Sequence, residues 1–513
     1  MGLLAADVKE EESMNRRQQE ESAESMEVML DKFVFRRDDD GGGAKRFPGN
    51  ETTATATTCA GVPFSVCVDL APPPAICRLY LHWPGGPNPE AGRFCQLVAA
   101  HRGRILLRFT SHFKSKAFPN DLQCADDYFV YTPGGGDSPP SLARLPDWLS
   151  EEDREFYLRR LQEREVENMW KSCRQYSSPE EDTPEVRRAE ALVQEKHEEE
   201  LAWCVDVDHD IYPSSLIQEN LGIVCSEDGA RFVVAELHRL HKTTTATTTT
   251  NHEGTYTAEL TMFRSHGGGG GPSSSSSSWE LKHLPVDDYH NSAGFCRQAV
   301  VPFGSSCLCW VDYRRGIIVA DDVLDHKGPT KLSYVAFPPH VPTKTGWEDM
   351  HRGVCATDGG RLLKFVDVVG ANNNNHHHQP YKKNNISFTI FTYTLTRTEE
   401  AGGRMEWVTD AAAPMTDKEL WGLQAPAPIP HEVPMLPLVS MDKPHVIHFL
   451  LSEWTDYIDT LTLVTVDMDT RTVLSVRPYI KGEQELYGED ADFAQARSSL
   501  LEPFLLAEFS RFR

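Results

Sequence analysis

The feature that most constrains this chain is a short phrase that occurs twice. Val224-Cys225-x-x-Asp228-Gly229 and Val354-Cys355-x-x-Asp358-Gly359 each read as a strand running into a tight turn. A second apolar run follows each turn, Phe232-Val233-Val234 in one and Leu362-Leu363-Lys364-Phe365 in the other. Asp-Gly suits such a hairpin because glycine accepts the positive φ that the turn demands. Looser copies stand at Arg102-Gly103, Arg315-Gly316 and Asp442-Lys443. The closest pair, Gly316 and Gly359, is 43 residues apart, close to the length of one four-stranded propeller blade. Five units are visible, and strands near Phe64–Leu70 and Arg78–Trp83 supply material for a sixth. The expected fold is all-β, a β-propeller of about five or six four-stranded blades. A pair of β-sandwiches is the alternative, because short alternating strands alone cannot separate the two.

The rest of the chain agrees with that class. Runs rich in Val, Ile, Thr and aromatic residues recur from Arg78 to Tyr479, bounded by Gly, Pro and Asp, as short strands should be. No long helical pattern separates them, which argues against a parallel α/β sheet. Insertions interrupt the series. Residues 1–31 carry nine acids against three bases, a net of −6, and read as a disordered acidic tail with a helical turn near Met26 to Leu30. Residues 147–203 read as an α-helical hairpin, with a capping box at Ser150 and Asp153 and a helix start at Thr183-Pro184-Glu185. Low-complexity loops occupy 243–252, 267–278 and 371–380. Everything from 32 to 513 is otherwise one propeller-like domain.

Charge sharpens the picture of partners. The chain of 513 residues carries 51 Lys+Arg against 76 Asp+Glu, a formal net charge of −25. A surface of that sign repels nucleic acid and anionic lipid. The segment 147–200 alone has 17 acids and 9 bases, so it and the tail hold much of the excess, and the β-rich body is nearly ordinary. That leaves room for a local basic site. No signal-peptide pattern and no run of 18 apolar residues is present, so a cytoplasmic or nuclear monomer without a membrane span is expected. The twelve cysteines are dispersed without any C-x-x-C. Most sit in strand-like runs, where a reduced cysteine acts as a small hydrophobe, and zinc or redox pairing is not expected.

Catalytic motifs do not assemble. Gly304-Ser305-Ser306-Cys307 is not a G-x-S-x-G elbow, and the glycine runs lack the strand-before, helix-after setting of a phosphate loop. His197-Glu198-Glu199-Glu200-Leu201 lacks the second histidine of a zincin helix. Asp206-x-Asp208-His209-Asp210 has ligand-like density but no calcium-loop Gly or distal Glu, and reads as a solvated turn. No metal and no cofactor is expected. The segment Trp310-Val311-Asp312-Tyr313-Arg314-Arg315 is the candidate partner-binding site. Alternation puts Trp310, Asp312 and Arg314 on one strand face, an aromatic–arginine hot spot in one reading. In the other, favoured reading an internal Asp–Arg pair packs beneath Trp310 as part of the blade.

These residues also match a familiar pattern. Ala75-Ile76-Cys77-Arg78-Leu79-Tyr80-Leu81-His82-Trp83-Pro84-Gly85-Gly86 resembles the opening of the plant Domain of Unknown Function 1618 family, abundant in grasses. Later phrases resemble it in order: Val301-Pro302-Phe303-Gly304, Leu308-Cys309-Trp310-Val311-Asp312-Tyr313-Arg314-Arg315-Gly316, Val354-Cys355-Ala356-Thr357-Asp358-Gly359, and Pro437-Leu438-Val439-Ser440-Met441-Asp442. The likeness runs from about Phe33 to the C-terminus. It implies a plant intracellular protein of a family without an agreed activity, cofactor or catalytic residues.

The sequence leans away from an enzyme. It is read as a non-enzymatic protein–protein interaction module whose loops recruit a protein, in regulatory or degradation machinery. The alternative is a propeller enzyme, hydrolase-like, whose carboxylates meet in a central channel from several blades and so leave no motif.

Overall fold

The computed structural model describes residues 25–38, 46–87, 94–149 less 116–117 and 136–137, 159, 205–207, 216–243, 255–265, 278–289, 294–324, 330–338, 348–370, 387–397, 404–454 less 413, 458–480 and 504–510. These residues are nearly all β, with two short helices, α1 (Glu348–His351) and α2 (Asp417–Gly422). The expected helical hairpin and the low-complexity loops lie almost wholly outside the described residues.

Five sheets hold the strands. The first contains β1 (Ser25–Arg36), β2 (Ala54–Thr57), β3 (Pro63–Asp69), β4 (Ile76–His82) and β27 (Phe504–Ser510), in the order β2-β3-β4-β1-β27. There β1 runs parallel to β4 and antiparallel to β27, so the two ends of the described chain share one sheet. Residues 25–31 are therefore strand, where the sequence suggested tail and helical turn. Val28, Met29 and Leu30 are fully buried between neighbouring strands, and pairing on both sides overrides their weak local preference.

The second sheet is a meander of β5 (Cys95–His101), β6 (Arg104–Ser115), β7 (Phe118–Thr132) and β8 (Ser141–Arg144), with β9 (Val205–Val207) parallel to β6. An eight-stranded sheet follows. It joins the meander β10 (Leu221–Cys225), β11 (Phe232–Thr243), β12 (Thr255–Arg264) and β13 (Trp279–Asp287) to a second one. That one is β14 (Ala299–Phe303), β15 (Cys307–Asp312), β16 (Gly316–Asp321) and β17 (Lys331–Ala336). Their last strands meet in parallel at Val286–Leu332 and Asp287–Ser333. The remaining sheets are β18 (Arg352–Thr357), β19 (Leu362–Gly370), β20 (Phe388–Arg397) and β21 (Met405–Thr409), with β22 (Met415–Thr416) on β20, and then β23 (Met435–Val439), β24 (Val446–Trp454), β25 (Ile458–Asp467) and β26 (Thr472–Ile480).

Apolar cores sit between consecutive units and follow chain order. Phe64, Trp83, Phe109 and Phe129 fill the space between the first two sheets. Leu106, Val130, Ile223 and Val234 join the second sheet to β10–β13. Leu260, Leu308, Trp310 and Ile318 join that meander to β14–β17, and Val319, Phe337, Phe365 and Tyr393 continue to β18–β21. Ile390, Phe449 and Val464 reach the last sheet, and Met29, Phe35, Leu450 and Leu463 bring that sheet back to the first. Each such large side chain stabilises by about 1.5–3 kcal/mol when removed from water.

The first strands of the meanders lie side by side, β5 against β10, β10 against β14, β14 against β18 and β18 against β23. Glycine permits the closest of these approaches. A Cβ on Gly222 would stand 2.4 Å from Val300 Cγ1, and one on Gly353 would stand 2.1 Å from the Pro437 carbonyl oxygen.

Four of the five turns read from the sequence close the first hairpin of a meander: Arg102-Gly103, Asp228-Gly229, Asp358-Gly359 and Asp442-Lys443. Arg315-Gly316 closes a second hairpin, between β15 and β16; the equivalent first turn there is Gly304-Ser305-Ser306. The 43-residue spacing therefore joins non-equivalent turns. The likeness is one of residue type, since Asp358 and Gly359 take φ of 55° and 63° while Gly316 takes 154°.

Candidate functional site at the entry to strands β10 and β14

The segment singled out in the sequence lies inside the molecule. Along β15, Leu308 and Trp310 point into one core while Cys309 and Val311 point into the next, as strand alternation requires. Trp310 is fully buried, and its indole Nε1 donates to the Asn220 carbonyl oxygen at 2.7 Å. Asp312 is fully buried too. Its Oδ2 accepts from the Cys296 amide at 2.9 Å and from Arg315 Nη1 at 2.8 Å, and its Oδ1 accepts from the Arg314 amide at 3.0 Å.

Arg314 is exposed in the turn. The internal Asp–Arg pair therefore uses Arg315, because the chain turns after Asp312 and the Arg315 amide returns to the Asp312 carbonyl at 2.9 Å. Two-residue alternation cannot be carried across that turn. Trp310, Asp312, Arg314 and Arg315 consequently do not form one exposed face. They support the loops on either side of them, those carrying Asn220 and Arg297.

Those loops build a polar cluster. A single 3-10 turn, Gln218–Asn220, leads into β10. Asn220 is only 3 % exposed, and its Oδ1 accepts from Arg297 Nε at 2.9 Å. The Ile217 amide donates to Glu236 Oε1 at 2.8 Å. Glu236, on β11, is fully buried, and its Oε2 lies 3.0 Å from His238 Nε2. On the other side Arg108, on β6, donates to Gln218 Oε1 and to Asp126 Oδ2, both at 2.8 Å. Burial opposes the Arg108 charge, but the Asp126 hydrogen bond and attraction outweigh it and hold its pKa above the ordinary value. Tyr128 donates to the Leu216 carbonyl at 3.3 Å, and burial pushes its hydroxyl pKa up.

Arg297 is the unusual member. Burial pulls its pKa down, against the opposing charge of Glu236. Its Nε hydrogen bond to Asn220 fixes the guanidinium, yet no ion-pair partner lies within reach among the described residues. Nothing in the local sequence, Phe295-Cys296-Arg297-Gln298, separates this arginine from any surface arginine. Asn220, Glu236 and Arg297 meet only because β10, β11 and the approach to β14 converge.

The chemistry available is recognition. Glu236, Asp126 and Asp312 each hold a backbone amide or an arginine. Elsewhere, burial raises the pKa of the Cys225 and Cys307 thiols to about 12, far from a thiolate nucleophile. Among the described residues no group of three or more His, Cys, Asp or Glu is disposed to hold a metal ion. Of the Asp206 cluster only Asp206, in β9, is described; Asp208 to Asp210 lie outside the described residues, as do His376 to His378.

Three comparisons bear on relationship. Residues 310–448 match the family model described as Protein of unknown function (DUF1618). That match supports the family. It begins within β15 and ends within β24, so it takes in Trp310, Asp312, Arg314 and Arg315 but neither Asn220 nor Arg297. No curated protein matches the chain. Among solved structures, a mannose phosphorylase from Leishmania mexicana in complex with phosphate ion aligns at 8 % identity over 77 % of this chain and 85 % of that one. Its TM-score is 0.18, too low to carry any argument about fold or activity.

Proposed function

We propose that the DUF1618-matching chain is a six-bladed β-propeller that works as a non-enzymatic protein–protein interaction module, as a monomer in the cytoplasm or nucleus. The six cores between consecutive units, the last returning to the first, support the ring. In this reading the first sheet closes it by pairing β1 with β27, and the first strands of the units line the axis.

The observation that carries the non-enzymatic reading is the make-up of those strands. β10 (LGIVC), β14 (AVVPF) and β23 (MLPLV) contain no acid, base or histidine. β18 contributes Arg352, which is held by Asp367, β5 contributes His101, which is buried, and in the first sheet the edge strand β27 (FLLAEFS) contributes one carboxylate, Glu508, paired in register with Glu27 of β1. A hydrolase site assembled from several blades needs carboxylates free to act as acid, base or nucleophile. The axis offers mainly apolar side chains instead.

Proximity labelling in cells, comparing the full wild-type chain with I217D, tests this function. Ile217 is 47 % exposed beside the polar cluster, so the variant should fold. The expected result is a set of proteins labelled by wild type only, of which at least one forms a stoichiometric complex with the purified chain. Turnover of a small molecule by the purified chain, abolished in a folded E236Q variant, would replace the module with the hydrolase alternative.

A further inference from the structure

We infer that Arg297 and Asn220 form a binding site for a carboxylate of a peptide, either an Asp or Glu side chain or a free C-terminus. The inference rests on the interaction-module reading and says what chemistry that module recognises. Arg297 Nε donates to Asn220 Oδ1, and among the described residues Nη1 and Nη2 have no hydrogen-bond partner. Two parallel donors on a guanidinium match the two oxygens of a carboxylate.

Asn220 adds an independent observation. The residue is 3 % exposed, yet among the described residues its Nδ2 has no hydrogen-bond partner. A buried amide donor without a partner costs about 1–3 kcal/mol, so such groups mark places where a ligand or water completes the site. The carbonyl of Asn220 is held by Trp310 and its Oδ1 by Arg297, so the amide is fixed beside the guanidinium. The Asp312 carboxylate fixes the Cys296 amide, one residue before Arg297. Ile217, exposed next to the turn, offers an apolar contact for the residue bearing the carboxylate.

Glu236 decides which anion fits. It acts on Arg297 through its charge from beyond hydrogen-bonding distance, while its own oxygens face the Ile217 amide and His238. It therefore leaves the fork open but adds repulsion, and a dianion such as phosphate meets about twice the repulsion of a carboxylate.

Trp310 provides the reporter. The full chain is labelled with 5-fluorotryptophan, and the Trp310 fluorine resonance is identified by its loss in W310F. Four probes are titrated at matched ionic strength: acetyl-Ala-Asp-Ala-amide, acetyl-Ala-Asn-Ala-amide, acetyl-Ala-Ala-Ala with a free C-terminus, and inorganic phosphate. The expected result is a saturable shift with one or both carboxylate peptides and binding about tenfold weaker with the Asn peptide, the loss of one charge-assisted pair. R297Q should abolish saturation. R297K should weaken it, because an ammonium lacks the fork, and R361Q, at an exposed turn elsewhere, should leave it unchanged. Thermal melts confirm that each variant is folded.

Equal binding of the Asn peptide, an unaltered response in R297Q, or phosphate binding tighter than both carboxylate peptides would overturn the proposal. Failure here is separable from failure of the module. Partners that are still labelled and reconstituted with R297Q remove this site and keep the module, whereas turnover abolished in E236Q removes the module itself.

Discussion

Arg297 and Arg352 stand one register place apart at the entries to consecutive meanders, and they have opposite fates: Arg352 lies opposite Asp367, whereas the place opposite Asp312 falls to Gln298. Each stands at the entry to a first strand, β14 or β18, and each reaches back to the preceding meander. Arg352 is buried. Its Nε donates to Asp367 Oδ1 at 2.9 Å on the paired strand β19, and its Nη1 donates to the Tyr313 carbonyl at 2.5 Å. Among the described residues Arg297 has no ion-pair partner: it stands one place before the position that faces Asp312, whose carboxylate accepts from the Cys296 and Arg314 amides and from Arg315. One arginine locks two units together. The other is held by one nitrogen and presents the remaining two. The difference lies in register, since both neighbouring strands carry an aspartate and only Arg352 stands opposite its own, and it separates a structural ion pair from a site that can receive a ligand.

The largest effect expected from this contrast is on Arg352. R352A leaves Asp367 buried without its cation and should cost about 3–5 kcal/mol in urea unfolding. A cost near that of R297Q would erase the distinction between the two positions.

Acid should come next, through two buried histidines. Burial, aided by the charge of Arg102, pushes His101 down to about 3, and burial alone pushes His448 down to about 4. Both stay neutral in the native state while the unfolded chain takes up their protons below about pH 6.5. Stability is therefore present above that pH and falls as the pH drops toward the native values, by about 2 kcal/mol per histidine at pH 5. His101 Nδ1 accepts the Cys225 amide at 2.9 Å, joining β5 to β10 at the end opposite Arg297. Urea midpoints at pH 7, 6 and 5 should show the loss, and H101Q should remove about half of the histidine-dependent slope. An unchanged slope would mean that this joint is open to water.

A smaller effect falls on the support of the site. W310F keeps most of the buried ring but leaves the Asn220 carbonyl without its donor, which should cost about 1–2 kcal/mol by the same measurement. The smallest is R297Q itself, expected within about 0.5 kcal/mol of wild type because this guanidinium completes no ion pair among the described residues. A substantial loss in R297Q would make Arg297 a second Arg352.

Much of the sheet framework was legible from residues. Ile105–Phe109, Cys307–Tyr313 and Thr472–Tyr479 read as strands and are strands, because β-branched and aromatic residues with Gly or Asp at their ends leave few other choices. The first strands were harder. β14 and β23 contain Pro302 and Pro437, which ordinarily argue against a strand. Both lie at the edge of their sheets, where one side needs no ladder hydrogen bond. β10 is buried along its whole length and shows no alternation, yet Val224-Cys225 ahead of the Asp228-Gly229 turn marked it as a strand. At the site, the sequence drew attention to Trp310 and Asp312, whose residue types are conspicuous, and missed Asn220, Glu236 and Arg297, whose types are not.

By itself the sequence determined an all-β chain of repeated hairpins, since turn residues and strand periodicity act over a few positions and need no distant partner. It also settled that no local catalytic motif is written along the chain. Tertiary structure decided which turns are equivalent, that residues 25–31 join a sheet with residues 504–510, and that Trp310 and Asp312 lie inside. It likewise decided which of two arginines finds an anion. Burial and pairing are set by residues more than a hundred positions away, as Arg102 and His101 are from Cys225, and no local pattern carries that information.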